Sequence, residues 1–234
     1  MTITEHTTVA DIATAIPSSV RVFQRHGVDF CCGGKRPLAL VCEEQGLSLA
    51  DLTSEIEASS LSPEGDRDWT KAPLADLADH IVTTYHDALR AELPRLETMA
   101  AKVARVHGAH AAYLAQVEDI VGELSADLNQ HMRKEELIVF PAIRGLEAAV
   151  PGRVSFPFEA PITVMEQEHD HAGELFAELR RMTGQYVAPE WACATFRALY
   201  QGLADLEAAM HVHVHLENNV LFPRALALAG IGVH

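Results

Sequence analysis

His131-Met-Arg-Lys-Glu135-Glu-Leu-Ile-Val-Phe-Pro141 and His213-Val-His-Leu-Glu217-Asn-Asn-Val-Leu-Phe-Pro223 are two copies of one string. Each sets a Glu four residues after a His and closes on Phe-Pro at the same offset. A His-Asp pair precedes each copy at nearly equal distance, His86-Asp87 before the first and His169-Asp170 before the second. At about 100° per residue, a His and a Glu four apart stand only about 40° out of line, so both enter the same space from adjacent helical turns. A single His-x-x-x-Glu is an ordinary surface ion pair. Two copies in phase with apolar stripes are not.

Those stripes run through four long helical patterns. The first, opened by Pro73, carries Leu74, Leu77, Ile81, Tyr85, Leu89, Leu93 and Leu96 in steps of three and four, and stops near Gly108. In the second, Val117, Val121, Leu124 and Leu128 lead to His131, Glu135 and Ile138 with no expected change of phase. The third begins after Pro161 and runs through Met165, His169, Ala172, Phe176 and Leu179 to Gly184. Opened by Pro189, the fourth passes Phe196, Leu203, Met210, His213, Glu217 and Val220. The His and Glu residues therefore fall on core faces, where unpartnered carboxylates and imidazoles would be costly. A metal removes the difficulty. Four His and two Glu exceed one tetrahedral zinc and suit a dinuclear site with open positions, the carboxylates bridging and the imidazoles terminal.

The same phase argument sorts the neighbours. His211 and His215 turn about 200° from His213, and His171 likewise from His169, so these are expected to face outward. His80 is expected beside the site or partly exposed, and His6, His26, His107, His110 and His234 have structural or solvent roles. Asp87 and Asp170 stand about 100° off the stripe, on the surface or as hydrogen-bond partners. Phe140 and Phe222 are expected as core packing, with Pro141 and Pro223 limiting or kinking their helices.

Upstream, residues 1–58 read as a small helical domain. Thr7 or Thr8 caps a first helix, Pro17 opens a second that stops near Gly27, Pro37 opens a third ending near Gly46, and Ser48 caps a fourth. Between the second and third, Val28-Asp-Phe-Cys-Cys-Gly-Gly34 breaks the pattern; its glycines permit unusual backbone angles, so Cys31 and Cys32 are expected on a tight turn. A disulfide between adjacent cysteines would close a strained ring, so free thiols are expected. Cys42 and Cys193 are expected as packing residues. Residues 59–72, rich in Ser, Pro, Gly and charge, form the linker to a bundle over 73–228, with Trp69 free to pack on either part.

The chain has 234 residues, 48% of them hydrophobic, enough for a substantial core. A formal net charge of −15 argues against a nucleic-acid or anionic-membrane surface, which needs basic patches. No apolar run of about 18 residues is present to span a bilayer, and the amino end lacks the blocks of a signal peptide, so a cytoplasmic protein with reduced cysteines is expected.

The ordered set His86, His131-x-x-x-Glu135, His169, His213-x-x-x-Glu217 resembles the hemerythrin-like four-helix bundle with a non-haem di-iron centre, and differs from the Glu-x-x-His pairs of ferritin-like bundles. Joined to Asp29-Phe-Cys-Cys-Gly-Gly-Lys35, and with Glu168-His-Asp170, Ala172-Gly-Glu-Leu175 and Leu216-Glu-Asn-Asn-Val-Leu-Phe-Pro-Arg-Ala-Leu226, the chain resembles the iron–sulfur cluster repair family of di-iron (RIC, YtfE/ScdA-like) proteins over nearly its whole length. The resemblance implies an all-α fold and two irons bridged by Glu135 and Glu217, with His86, His131, His169 and His213 as terminal ligands. It further implies repair of iron–sulfur clusters damaged by nitric oxide or peroxide, with damaged cluster proteins as partners. His215 departs from the family pattern and adds a candidate outer ligand.

Three function classes follow: an iron donor in which Cys31 and Cys32 receive, pass or sense iron; an oxidoreductase or sensor binding nitric oxide, oxygen or peroxide; and a structural metalloprotein. Whether the protein is an enzyme is left open, as is its oligomeric state, a homodimer included.

Overall fold

The computed structural model describes residues 3–60, 67–148 and 156–231. Among them the protein is all helical; an isolated bridge between Thr8 and Pro37 is the sole extended pairing there. Four short helices come first: α1 (Val9–Ala15), α2 (Ser19–His26), α3 (Leu38–Gln45) and α4 (Leu49–Ser60). Their caps follow the local chemistry. Thr8 Oγ1 accepts from the Asp11 N–H at 3.1 Å, Ser48 Oγ from the Asp51 N–H at 3.2 Å, and Gly27 and Gly46 end α2 and α3 with φ of 65° and 67°. Val9, Ile12, Phe23, Phe30, Leu38, Leu52 and Ile56 close over one another in a core of their own, against which Val212 of the bundle packs.

Four arms make the bundle. The first is α5 (Leu74–Ile81), a π-turn (Val82–His86) and α6 (Asp87–His107); the second is α7 (Tyr113–Lys134), a π-turn (Glu135–Val139) and α8 (Phe140–Ala148). The third is α9 (Glu159–Thr183), and the fourth α10 (Ala194–Leu216), a π-turn (Glu217–Leu221) and α11 (Phe222–Leu228). α6 packs on α7 and α10, and α9 on the same two, which closes the ring. Of the expected linker, Ser59 and Ser60 are the last residues of α4, residues 61–66 lie outside the described residues, and Trp69 packs on the bundle.

The π-turns are the main departure from the expected helices. Each closes with an amide bonded five residues back: Asp87 to the Val82 carbonyl, Phe140 to Glu135, and Phe222 to Glu217. One extra residue per turn shifts the phase by about 100°. Val139 therefore takes the buried place expected of Ile138, which is 51% exposed. Of the two effects expected of prolines 141 and 223, limiting or kinking, the first does not occur: α8 and α11 run on past them. The prolines follow a turn already out of α-register, in the first turn of a restarted helix where a missing N–H is tolerated. The fourth arm also starts later than Pro189, because Pro189–Ala192 forms a turn and Cys193 is the extended N-cap.

Glycines 33 and 34 are required for space rather than for positive φ. A Cβ on Gly33 would lie 2.8 Å from Asp29 Oδ2, and one on Gly34 2.6 Å from the Phe30 carbonyl oxygen. Gly34→Ala is expected to destabilise the protein by about 1–3 kcal/mol. Gly122→Ala, inside α7 with no atom within 4 Å of the added Cβ, is expected to stabilise it by roughly 0.5–1 kcal/mol. Denaturant midpoints of the two variants check the pair.

Candidate metal centre

Two apolar layers bracket a polar one. On one side Leu89, Leu93, Leu128, Phe176, Leu206 and Met210 fill the bundle; on the other stand Leu77, Ile81, Phe140, Met165, Val220 and Phe222. Between them lie His86, His131, Glu135, His169, His213 and Glu217, none more than 3% exposed. The structure thus brings together all six residues singled out by the repeat.

They sort into two imidazole pairs spanned by two carboxylates. His86 Nε2 is 3.3 Å from His213 Nε2, and His131 Nε2 is 3.0 Å from His169 Nε2. Glu135 sends Oε2 to within 3.3 Å of His86 Nε2 and Oε1 to within 3.4 Å of His131 Nε2. Glu217 mirrors it, with Oε1 3.0 Å from His213 Nε2 and Oε2 3.1 Å from His169 Nε2. Each carboxylate therefore gives one oxygen to each pair.

The outer nitrogens decide what the inner ones can do. His86 Nδ1 lies 2.7 Å from Glu136 Oε1, His131 Nδ1 2.9 Å from Glu168 Oε2, and His169 Nδ1 2.9 Å from Asn218 Oδ1. With the proton on Nδ1 donated to these oxygens, each Nε2 carries a lone pair pointing inward. His213 has no partner at Nδ1 among the described residues, and its Nε2 lies 3.0 Å from Glu217 Oε1. Between His131 and His169 the lone pairs face each other at 3.0 Å and repel, and both oxygens of Glu135 and Oε2 of Glu217 are buried without a hydrogen-bond partner among the described residues. A cation between each imidazole pair satisfies the inward nitrogens and these carboxylate oxygens. The spacing fits: with bonds of about 2.1 Å, adjacent donors on an octahedral cation stand about 3.0 Å apart.

The electrostatics agree. Burial works against charge on His131, yet Glu135 and Glu168 raise it to about 10. Burial would push the Glu217 carboxyl up, but the His213 and His169 imidazoles hold it well below the usual range. A metal supplies the positive charge this layer attracts while leaving the rings neutral. Around it, the hydrogen bond with His131, helped by Lys134 against partial burial, brings Glu168 down to about 2. Glu136, ion-paired to Arg90, is also lowered by Arg90 and His86 against burial.

Glu136, Glu168 and Asn218 were not legible as partners, but they share a pattern. Each is the sequence neighbour of a core residue and serves an imidazole on the preceding arm. Tyr85, beside His86, completes the cycle by stacking on His213, ring centroids 5.3 Å apart and planes within 8°. Asp87 and Asp170 stay exposed on the surface, and His171 faces solvent beside Glu123 and Asp127. His80 stacks on Trp69 at 4.5 Å.

His215 and His211 correct the expectation of an outward, solvated face. His215 is 3% exposed and its pKa falls to about 4 through burial; His211 is half-buried and lowered for the same reason. They do turn away from the metal layer, but the amino-terminal helices cover that face, and Phe30 stands edge-on to both rings. Cys193 also departs from its expected packing role: it is exposed, its Sγ 3.2 Å from His107 Nε2, while Cys42 is buried in the amino-terminal core.

Cys31 and Cys32 stand apart from the six. Asp29 shapes their turn, with Oδ1 accepting from the N–H groups of Cys31 at 2.9 Å and Cys32 at 3.2 Å, and Oδ2 from Gly33 at 2.9 Å. The thiols are free, their sulfurs 3.8 Å apart. The hydrogen bond to Cys32, burial and the Asp29 carboxylate push the Cys31 thiol far above the ordinary range, so it is held protonated. A cavity of about 710 Å³ beside the turn is lined by Cys31, Cys32, Met210 and His211 and reaches His169.

Comparison with known proteins agrees with this geometry. The Hemerythrin HHE cation binding domain matches residues 77–225, and the ScdA amino-terminal domain, a Domain of Unknown function (DUF542), matches residues 5–60. The iron-sulfur cluster repair protein YtfE of Pectobacterium atrosepticum is 40% identical over 219 residues, 93% of this chain and 96% of that protein. YtfE of Yersinia pseudotuberculosis is 41% identical over 219 residues, 92% of this chain and 94% of the relative.

Removing a Nδ1 acceptor is expected to loosen metal without unfolding the bundle. Glu136→Ala or Glu168→Ala should weaken metal binding about 10–100-fold in competition with a chelator, whereas Asp87→Ala and Asp170→Ala should leave it unchanged.

Proposed function

The chain belongs to the YtfE/ScdA-like iron–sulfur cluster repair family with a hemerythrin-like domain, and we propose that it repairs damaged iron–sulfur clusters by supplying iron held in the buried layer. In this reading His86 and His213 would hold one iron and His131 and His169 the other, with Glu135 and Glu217 each giving an oxygen to both positions. The observation that carries it is the double span of the carboxylates, each with one oxygen at each imidazole pair. Two imidazoles and two carboxylate oxygens at each position leave coordination open on iron, which supplies Lewis acidity and one-electron chemistry there. Glu136, Glu168 and Asn218 fix the tautomer and orientation of three imidazoles, and the apolar layers exclude bulk water. Cys31 and Cys32, on a turn built by Asp29, are the groups proposed to receive or pass iron. Loss of the Cys31 proton then has to accompany metal binding there. Damaged iron–sulfur proteins are the proposed partners, and residues 1–58 and 73–228 the two functional parts joined by 59–72.

A second reading is favoured by the cavity that reaches His169. It is large enough for nitric oxide, oxygen or peroxide to approach the layer, so chemistry in place on these small molecules is the alternative to donation.

The bridging role makes a quantitative distinction. Glu217→Ala is expected to lose both irons, because it removes a donor from each position, while His86→Ala is expected to keep iron at His131 and His169. Iron per chain, measured on protein purified without oxygen, reads the difference. For the thiols, replacing Cys31 and Cys32 by Ser is expected to abolish cluster reactivation while iron content and reaction with nitric oxide persist. Undiminished reactivation would contradict transfer through the pair.

A further inference from the structure

The π-turn Glu217–Leu221 carries three consecutive polar side chains with three different addresses. Glu217 enters the buried layer, Asn218 accepts from His169 Nδ1, and Asn219 leaves the bundle for the amino-terminal helices. Asn219 Nδ2 lies 3.2 Å from the Phe30 carbonyl oxygen, 3.2 Å from that of Cys31, and 3.0 Å from His215 Nδ1. His215 Nδ1 also lies 3.3 Å from the Phe30 carbonyl oxygen, and in the tautomer in which it accepts from Asn219 at 3.0 Å, one amide hydrogen goes to the imidazole and the other is shared between the two carbonyls. His215 is thereby oriented, and its ring supports Phe30 at a centroid distance of 5.6 Å.

We propose that Asn219, braced by His215, is the positioning residue through which the metal layer holds the Cys31–Cys32 turn. The proposal rests on the two-metal reading above for its coupling, though not for its contacts. With metal held by Glu217, the register of this five-residue turn would be fixed. An amide two residues along that turn then keeps its donors on the Cys31 carbonyl. Release of metal frees Glu217, lets the turn relax, and removes the tie on the cysteine backbone. Among the hydrogen bonds of the described residues, the thiols and their amides are otherwise held by Asp29 within their own domain, while the Cys31 and Cys32 side chains pack on the bundle core. Metal occupancy and thiol exposure are thus linked, and by linkage each must affect the other. This gives the buried His215, which contributes no donor to the metal layer, a task.

The full chain is loaded with ferrous iron without oxygen, or stripped by a chelator, and alkylation of Cys31 and Cys32 is followed by peptide mass spectrometry. In the native sequence, stripping should accelerate alkylation of Cys31 about tenfold, the weight of one hydrogen bond. Asn219→Leu, similar in volume but without donors, should alkylate at the fast rate even when loaded, with iron content and helical circular dichroism unchanged. Asn219→Gln, which keeps the amide donor, should restore part of the protection and of its dependence on iron. Asn219→Ala serves as a second variant if Leu disturbs the fold. Equal alkylation of loaded native and donor-free variant protein overturns the proposal, as does an undiminished iron effect in the variants. Failure of native protein to take up iron would instead overturn the metal reading and the coupling with it, an outcome distinct from equal alkylation of iron-loaded native and variant protein.

Discussion

Six polar side chains sealed between two apolar layers set the terms for the rest of the molecule. Four imidazoles and two carboxylates at this depth are stable only if their lone pairs and charges are met. The inward-facing Nε2 atoms and the partnerless oxygens of Glu135 and Glu217 call for cations. Three of the four outer Nδ1 atoms meet fixed acceptors, Glu136, Glu168 and Asn218, and the fourth, on His213, has none among the described residues. Each acceptor comes from the next arm, so the hydrogen bonds that orient the layer also tie the four arms together.

The π-turns have the same origin. In the second and fourth arms the π-turn lets one short stretch direct a ligand candidate, its neighbouring acceptor and the following Phe inward or sideways as observed. One extra residue at Val82–His86, Glu135–Val139 and Glu217–Leu221 rephases each arm at the metal layer. Phe140 is then placed to stack on His86, and Phe222 on His169. Such single-turn interruptions of α-helices are frequent at functional sites.

The repeat made the bundle and its six inward residues legible, since a period and a spacing are properties of a single strand of text. Phase slips were not legible. Ile138 continues the apolar stripe on paper, but the turn starting at Glu135 exposes it and buries Val139. Nor could a sequence show that Glu168 serves His131 on another arm, because that pairing exists only once helices are neighbours. His215 is the clearest case of the same limit: its direction away from the metal layer was readable, but the Phe30 that waits there was not. The glycines after the cysteines do not take the unusual backbone angles expected of them; an added Cβ would collide with Asp29 and Phe30.

The central claim is that the buried layer holds two irons, each seated between one imidazole pair and sharing both carboxylates. Anomalous scattering measured from crystals above and below the iron absorption edge tests it most directly. Two iron peaks about 3.5–4 Å apart, one between His86 and His213 and the other between His131 and His169, are the predicted result. A single peak, or anomalous signal from a different metal bound by only one pair, would contradict it.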